Sequence, residues 1–249
     1  MTWVRGVLAA ASLLALTGDP VASQATTYHP LDMGWSWEYA DELGETLMAV
    51  MVGHRVVLGV QTAVRHEIIM GERHPSQVFE NFWTCGADGD LFLHGAINYT
   101  DTMQVAYYPP ILMVDGPLEL GKAWVTTDIQ TYDLEGNPSG MGPFDYGLMV
   151  YSVGDAVVPA GTFLAYGVGF DFGAPLVRGS GGCSYDLFGR RVMTLWGSGT
   201  REATDWYTED VGVVQQSYYT WPEEMMKLTA WQPSAISGAS WGRVKALFR

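Results

Sequence analysis

Hydrophobic and polar positions alternate with a period of two along much of this chain, the pattern of β-strands that bury one face. The longest alternating run spans residues 56–69. One face of that run would carry Val56, Leu58, Val60, Thr62, Val64, His66 and Ile68, and the other Val57, Gly59, Gln61, Ala63, Arg65 and Glu67. The run therefore predicts one long antiparallel strand with a single buried face.

Shorter runs with the same period predict the remaining strands. They cover 38–43 and 46–52 as a hairpin, 78–84 and 91–97 around a glycine-rich turn at 86–90, and then 124–132, 146–153, 162–172, 191–196, 203–208 and 212–219. Pro109 and Pro110 predict a break, because proline cannot donate to a β-ladder. Residues 222–227 favour one or two helical turns, and residues 232–240 read as a linker.

The run 162–172 has two very different faces. Leu164, Tyr166, Val168, Phe170 and Phe172 share one face, and Phe163, Ala165, Gly167, Gly169 and Asp171 share the other. A bulky face backed by a nearly bare one predicts the close approach of another layer, or the floor of a groove.

One short motif occurs twice. Residues 30–37 and 117–124 both read P-L-acid-(M/L)-G-x-x-W, in which a proline ends one element, a glycine permits a turn and a tryptophan anchors the next strand. Trp83 and Trp206, each six residues before a glycine, form a second matched pair. The repetition predicts a duplicated β unit, and we place the boundary between its copies at residues 100–116.

Composition agrees with a β-rich chain. The 249 residues include ten Trp, thirteen Tyr and thirty Gly, and only 16% are charged, which favours strands and turns over helices. We expect a single all-β domain over residues 26–220, a mostly antiparallel curved sheet or open barrel with little helix, built from related halves 26–110 and 111–220. The net charge of −14 disfavours binding to nucleic acid or to anionic membranes.

Residues 1–25 have the pattern of a secretory signal peptide. Arg5 gives a positive n-region, residues 7–16 form a short apolar run, and cleavage fits after Ser23 or Ala25. The run is too short for a transmembrane anchor, so we expect an exported protein, periplasmic or extracellular, with no transmembrane segment in the mature chain. Residues 221–249 would be a C-terminal linker and a short basic tail, either a partner contact or a frayed terminus.

Cys85 and Cys183 are the two cysteines of the chain. In an exported protein, two cysteines most simply form one disulfide. A bridge across a loop of roughly 100 residues would stabilise the fold by about 4 kcal/mol. Two separate thiols are the alternative.

No motif assembles catalytic chemistry. Residues 238–242 match G-x-S-x-G, but no histidine follows them as the nucleophile elbow of a hydrolase requires. The five histidines, His29, His54, His66, His74 and His94, lack the spacing of a metal site. We therefore expect no enzymatic activity, no catalytic residues, no cofactor and no metal.

Two further motifs complete a family resemblance. Residues 158–163 read V-P-A-G-T-F and residues 206–214 read W-Y-T-E-D-V-G-V-V. Together with the repeated P-L-x-x-G-x-x-W, they resemble uncharacterised bacterial exported β-rich proteins. The resemblance covers residues 28–219 and implies a curved sheet similar to that of the LolA/LolB lipoprotein carriers, with a concave apolar face. It implies no catalytic residues.

The surplus of large apolar side chains fills a core or lines a groove for an apolar ligand. We expect an exported, non-enzymatic protein that binds an apolar ligand, lipid or lipidated partner in the concavity of its sheet. The candidate ligand-binding residues are Leu58, Val60, Val64, His66, Tyr166, Phe170 and Trp196. A structural or surface-interaction protein with a filled core is the second hypothesis, and a hydrolase is the third.

Overall fold

The computed structural model describes residues 27–72, 76–140, 142–170, 184–185, 191–192, 204–218 and 221–233, and these residues are β-strands and turns. The strands are β1 (Ser36–Ala40), β2 (Thr46–Val57), β3 (Val60–Met70), β4 (Gln77–Cys85), β5 (Leu91–Asn98), β6 (Met103–Val114), β7 (Ala123–Tyr132), β8 (Phe144–Val158), β9 (Gly161–Phe170), β10 (Ser184–Tyr185), β11 (Arg191–Val192), β12 (Thr204–Thr208), β13 (Gly212–Tyr218) and β14 (Trp221–Gln232). Within the described part of the chain, no helix has the length and apolar character needed to span a membrane. The all-β prediction is confirmed.

Twelve of the strands close into one antiparallel barrel. Their order is β1-β14-β13-β12-β9-β8-β7-β6-β5-β4-β3-β2, and β10 pairs with β11 in a separate two-stranded sheet. Closure depends on β1, which pairs with β2 on one side and with β14 on the other, where Trp37 lies opposite Trp231. The sheet therefore joins its first and last strands, whereas the sequence predicted a curved sheet or an open barrel.

The two copies of the P-L motif adopt the same turn. The N–H of Gly34 donates to the carbonyl of Met51, and the N–H of Gly121 donates to the carbonyl of Val150, both at 2.8 Å. The backbone φ angles of the two glycines are 92° and 83°, a region that glycine enters without strain. One motif thus opens the six strands β1–β6, and the other opens the six strands β7–β9 and β12–β14.

The strand registers of the two units correspond as well. Each unit has a bulge in its second strand, at Val52 in β2 and at Tyr151 in β8. When the two bulges are aligned, the following register shifts also coincide, one between Phe82 and Trp83 and one between Trp206 and Tyr207. The equivalent residues are therefore Phe82 and Trp206, and Trp83 and Tyr207. The registers agree with a duplicated unit, and they place Phe82 and not Trp83 at the position of Trp206.

The tip of the second hairpin of each unit packs back against the barrel wall. In the first unit, Val57 and Leu58 belong to a hydrophobic cluster with Phe82, Ile97 and Ala106. In the second unit, the N–H of Ala160 donates to the carbonyl of Leu228 at 3.0 Å. This bond places the tip of the β8–β9 hairpin beside β14.

Buried side chains fill the barrel interior. The largest fully enclosed ones on the inner face include Trp37, Tyr39, Leu47, Met51, Leu91, Leu93, Ile111 and Ile129. Tyr28 and His29, which precede the first strand, are enclosed among them. Burial of so many large apolar groups is the main source of the stability of the fold.

The prediction of a single strand over 56–69 was wrong. Leu58 and Gly59 form a two-residue turn with φ angles of 46° and 84°, and Val57 pairs with Val60 across it. Positive φ at both central positions gives the backbone twist that joins two antiparallel strands. Because the turn residue Leu58 is itself apolar, the alternation runs through the turn without a break.

Two further predictions of secondary structure were wrong. β6 continues through Pro109 and Pro110, because β5 pairs with β6 on either side of them, at Ala106 and at Ile111, and not at the prolines. The ladder therefore requires no N–H from either proline. Residues 222–227, expected to be helical, lie in β14, where β13 pairs with residues 225–227 and β1 pairs with Lys227.

Candidate functional site

The structure distributes the predicted ligand-binding residues over separate places. Leu58 and Val64 belong to the outer cluster around Phe82, and Val60 is exposed at the start of β3. Tyr166 packs inside the barrel, edge-to-face with Tyr28 at 5.9 Å between ring centroids. Trp196 and the side chain of Phe170 lie outside the described residues.

His66 belongs to a small polar group on the face of β3 opposite Arg65. Its Nδ1 lies 3.6 Å from Glu80 Oε1, and Arg55 Nη1 lies 3.7 Å from Glu80 Oε2. The hydroxyl of Tyr99 donates to the same carboxylate at 2.9 Å. The hydrogen bond from His66, followed by that from Tyr99, holds the pKa of Glu80 below its usual value in spite of partial burial. Partly exposed charge pairs of this kind add little to stability.

A second polar group lies inside the barrel, and we call it the interior polar cluster. It consists of Tyr39, Arg65, Glu67, Asp205 and Tyr207. Arg65 is only 4% exposed, and its Nε lies 2.9 Å from Glu67 Oε1. Its guanidinium group also lies 5.4 Å from the ring centroid of Trp37, within the range of a cation–π contact. A buried cation therefore has both a carboxylate and an aromatic face as neighbours.

The titration properties of this cluster follow from its enclosure. Burial raises the pKa of Asp205 to about 7, although Arg65 acts in the opposite direction. Burial and then the charge of Asp205 raise the pKa of Tyr207, whose hydroxyl donates to Asp205 Oδ2 at 3.4 Å. The hydroxyl of Tyr39 donates instead to the carbonyl of Val213 at 2.9 Å. Asp205 therefore changes its charge near neutral pH.

His29 joins the cluster to the two tryptophans beside it. Its ring stacks on Trp37 at 5.1 Å, with 10° between the planes, and lies 5.6 Å from the ring of Trp83. Burial, and then the charge of Arg65, hold the pKa of His29 well below its usual value. Neither ring nitrogen has a hydrogen-bond partner among the described residues. His29 is therefore a neutral, enclosed imidazole that packs mainly through its flat faces.

The most exposed apolar surface lies on the β8–β9 hairpin. Val153, Asp155 and Val157 of β8 lie opposite Tyr166, Leu164 and Thr162 of β9, so these side chains share one side of the hairpin. Val153, Val157 and Leu164 are 39%, 72% and 58% exposed. We call Val153, Asp155, Val157, Thr162 and Leu164 the hairpin face.

The opposite side of this hairpin is buried. Ala156, Val158 and Ala165 belong to a core cluster that Trp206 also contacts. The hairpin is therefore anchored through its small side chains, and the larger apolar ones point to solvent. Contiguous apolar side chains of this kind mark sites of interaction more often than scattered ones do.

The backbone around the hairpin face is open in part, although the carbonyl of Leu164 accepts a 2.8 Å hydrogen bond from the hydroxyl of Thr208. In the described registers, β7 pairs with β8 only as far as Met149, and β12 pairs with β9 only from Tyr166 onward. The distal part of the hairpin is thus a two-stranded ribbon. Unpaired strand edges are places where another extended chain can add.

The first unit lacks an equivalent apolar face. Val56, which stands two residues before its hairpin turn as Val157 does, is 64% exposed, and in the bulge alignment it corresponds to Asp155. Its neighbours on the same side are His54 and Gln61, both polar. Only the second unit therefore surrounds an exposed valine with further apolar groups.

The sequence analysis identified part of this surface and missed the rest. It placed Leu164 and Tyr166 on one strand face, and the register confirms that they share it. It treated 153–158 as the end of a strand and a loop, so Val153 and Val157 were not recognised. The available signal was the alternation Val153, Asp155, Val157, which continues the strand up to Pro159.

The predicted disulfide, the histidines, the G-x-S-x-G sequence and the basic tail remain to be compared with the structure. Cys85 is a free thiol in the structure, and Cys183 lies outside the described residues, so the disulfide stays a prediction. Among the described residues, no three His, Cys, Asp or Glu side chains are placed to hold a metal ion. The G-x-S-x-G sequence at 238–242 and the basic tail also fall in parts that the structure does not describe.

Two solved structures are similar to this chain. One, provisionally described as an exported protein with a YmcC-like fold from Bacteroides fragilis, is 11% identical, with a TM-score of 0.38, over 84% of this chain and 100% of that one. The other, provisionally described as a lipoprotein from Parabacteroides distasonis, is 12% identical, with a TM-score of 0.36, over 84% of this chain and 99% of that one. Neither description names a LolA- or LolB-like carrier. No family model and no curated protein matches the chain.

Proposed function

We propose that this protein is an exported, non-enzymatic binding protein that receives an apolar ligand or a lipidated partner on its hairpin face. The observation that carries the proposal is the exposure of Val153, Val157 and Leu164 side by side on an anchored hairpin. Complete burial of one such side chain contributes about 1.5–3 kcal/mol. Three of them are sufficient to retain a small apolar group reversibly.

The filled interior favours a site on the exposed end of the hairpin over one among the packed side chains. The inner face near the seam carries Trp37, Tyr39 and Met51, each almost fully buried. A ligand in the concavity, as expected from the sequence, would have to displace side chains of this size at a large cost in packing. The hairpin face needs no such rearrangement.

The negative charge of the protein disfavours anionic ligands. The chain has a net charge of −14, and Asp155 lies within the hairpin face. This excess of negative charge repels anionic lipid surfaces. We therefore propose a neutral or cationic apolar group as the ligand.

Export and the lack of enzymatic activity are parts of the same proposal. Export rests on the signal-peptide pattern of residues 1–25. The non-enzymatic assignment rests on the position of His29, because its imidazole is 1% exposed and stacks on Trp37 in the barrel interior. A catalytic acid or base has to lie within hydrogen-bond reach of its substrate.

A structural or surface-interaction protein without a small ligand is the second candidate function. The observation that favours it is the filled barrel interior itself. In that case the barrel is a scaffold, and the hairpin face contacts another protein and no lipid.

The two candidates can be separated with the neutral apolar dye Nile red. We expect the purified protein to bind the dye, and we expect the triple variant Val153→Ser, Val157→Ser, Leu164→Ser to bind it at least tenfold more weakly. Val56→Ser is the control, because it removes an exposed valine from the corresponding hairpin of the first unit, and it should bind like the wild type. Equal binding by wild type and triple variant contradicts the proposal. Organic extraction with mass spectrometry then asks whether the protein carries a lipid from its host, and an empty extract together with absent dye binding favours the structural candidate.

A further inference from the structure

We propose that residues 241–249 of the chain itself dock on the hairpin face and compete there with external ligands. The inference uses the same surface as the proposed function, but it does not require that an external ligand exists. Three properties favour this segment as the occupant. They are its chemistry, the point where the chain leaves the barrel, and the distance that the intervening residues can span.

The chemistry of the segment complements that of the surface. Residues 241–249 read W-G-R-V-K-A-L-F-R, with three cations and no acidic residue in a chain of net charge −14. Four of the nine residues are large and apolar: Trp241, Val244, Leu247 and Phe248. The hairpin face offers three exposed apolar side chains around one carboxylate, Asp155. Apolar contact with opposite charge beside it favours this pairing over contact between two acidic copies of the barrel.

The chain leaves the barrel, at the end of β14, close to the hairpin face. The tip of the β8–β9 hairpin is bonded to β14 at Leu228, and β14 ends at Gln232, four residues later. Four residues of strand extend about 13 Å. The chain therefore leaves the barrel within about 13 Å of the hairpin tip.

The linker is long enough to return to the hairpin face. Eight steps separate Pro233 from Trp241, and an extended chain spans about 3.3–3.6 Å per residue. The segment can therefore start anywhere within about 26 Å of the end of β14. Apart from the Leu164 carbonyl, which Thr208 occupies, the backbone groups of the distal hairpin that β7 and β12 leave unpaired are offered to an extended segment in addition to the apolar contact.

As a consequence, residues 241–249 would occupy the hairpin face in part of the molecules. A segment tethered by a short linker acts at an effective concentration in the millimolar range. Even a weak contact between residues 241–249 and the hairpin face is therefore formed in a sizeable fraction of molecules when no external ligand is present. An external apolar ligand would have to displace the segment, which would lower its apparent affinity by the occupied fraction.

The test compares the full chain with a variant that ends at Ser240. Hydrogen exchange of the amides of residues 153–164 should be faster in the shortened protein, and the affinity for Nile red should rise at least threefold. The matched control is the full chain with Arg243→Glu, Lys245→Glu and Arg249→Glu, which keeps the length and should behave like the shortened protein. Equal thermal midpoints of the variants confirm that the barrel is intact.

A second arm uses the segment as a separate peptide. A labelled peptide of residues 241–249 should bind the shortened protein, and binding should weaken at least tenfold in the Val153→Ser, Val157→Ser, Leu164→Ser background and in 0.5 M salt. Unchanged exchange at residues 153–164 on removal of the segment overturns the inference, as does peptide binding that the triple variant retains. If exchange changes but Nile red does not bind the shortened protein, the proposed function fails and the inference about the segment stands.

Discussion

The hydroxyl of Tyr28 accepts a 3.1 Å hydrogen bond from the backbone N–H of Leu118. Tyr28 lies two residues before the first copy of the P-L motif, and Leu118 lies inside the second copy. The two repeated segments therefore meet in the barrel interior, where both side chains are buried. This contact joins the start of the first unit to the start of the second.

Replacement of Tyr28 by Phe should measure the strength of this junction. The substitution keeps the ring and its edge-to-face contact with Tyr166, but it leaves the buried N–H of Leu118 without its acceptor. An unsatisfied buried group costs about 1–3 kcal/mol, so we expect a loss of that size in the free energy of unfolding measured with urea. Tyr108→Phe is the control, because Tyr108 is exposed, and it should change stability by less than about 0.5 kcal/mol.

Replacement of Gly121, the glycine of the second motif copy, should lower stability because of its backbone conformation alone. Gly121 has a φ of 83°, and a Cβ there would meet no atom within 4 Å. Gly121→Ala should therefore lower stability by about 1–2 kcal/mol through backbone strain without any clash. Gly154→Ala is the matched control, since it also has open space but no positive φ. If the two variants unfold at the same denaturant concentration, the turn does not have the conformation described.

Arg65 should contribute far more to stability than Arg55. Arg65→Met leaves Glu67 without the cation that lies 2.9 Å from it, and removal of one partner from a buried pair costs about 3–5 kcal/mol. Arg55→Met affects an ion pair whose arginine side chain is 44% exposed, and such pairs contribute at most about 1 kcal/mol. Thermal or urea unfolding of the two variants provides the comparison. A smaller loss for Arg65→Met than for Arg55→Met would refute the enclosed ion pair.

Asp205 should make the stability of the protein depend on pH between about 4 and 7. Its pKa is raised from 3.8 in the unfolded chain to about 7 in the fold, so the folded state binds the proton more tightly. The stabilisation is complete below the unfolded pKa and is lost as pH rises through the folded pKa. Over this range, we expect wild type to lose on the order of 2–4 kcal/mol relative to Asp205→Asn.

The comparison with Asp205→Asn separates the contribution of Asp205 to the pH dependence of stability from that of His29. The depressed pKa of His29 acts in the opposite direction, because its contribution to stability is lost as pH falls through the usual histidine range. His29 is present in both proteins and largely cancels in the difference. A wild-type-minus-variant difference that is flat from pH 4 to pH 8 contradicts the enclosure of Asp205.

The repeated motif predicted much of the architecture because each of its residues has a local task. The proline, glycine and tryptophan of residues 30–37 and 117–124 define a turn and a strand start, and both copies form them. Pairing between distant strands has no such local signal. β14 shows this, because its residues 222–227 have a helical pattern and become a strand only through β1 and β13.

The hairpin face was harder to predict than the fold. Alternation places Val153 and Val157 on one face, but it does not tell which face of a strand is buried. The small residues Ala156 and Ala165 proved to be the buried ones, in a core cluster against which Trp206 also packs. The interior polar cluster had no sequence signal at all, because Arg65 and Asp205 come from different units.

The central structural claim is that two equivalent units close into one barrel through β1 and β14. The most direct measurement is a set of amide NOE contacts in solution between residues 36–40 and residues 227–232. The registers predict cross-strand contacts between Ser36 and Gln232 and between Trp37 and Trp231. Sequential amide contacts typical of a helix over residues 222–227, with no contact to residues 36–40, would contradict the closed barrel.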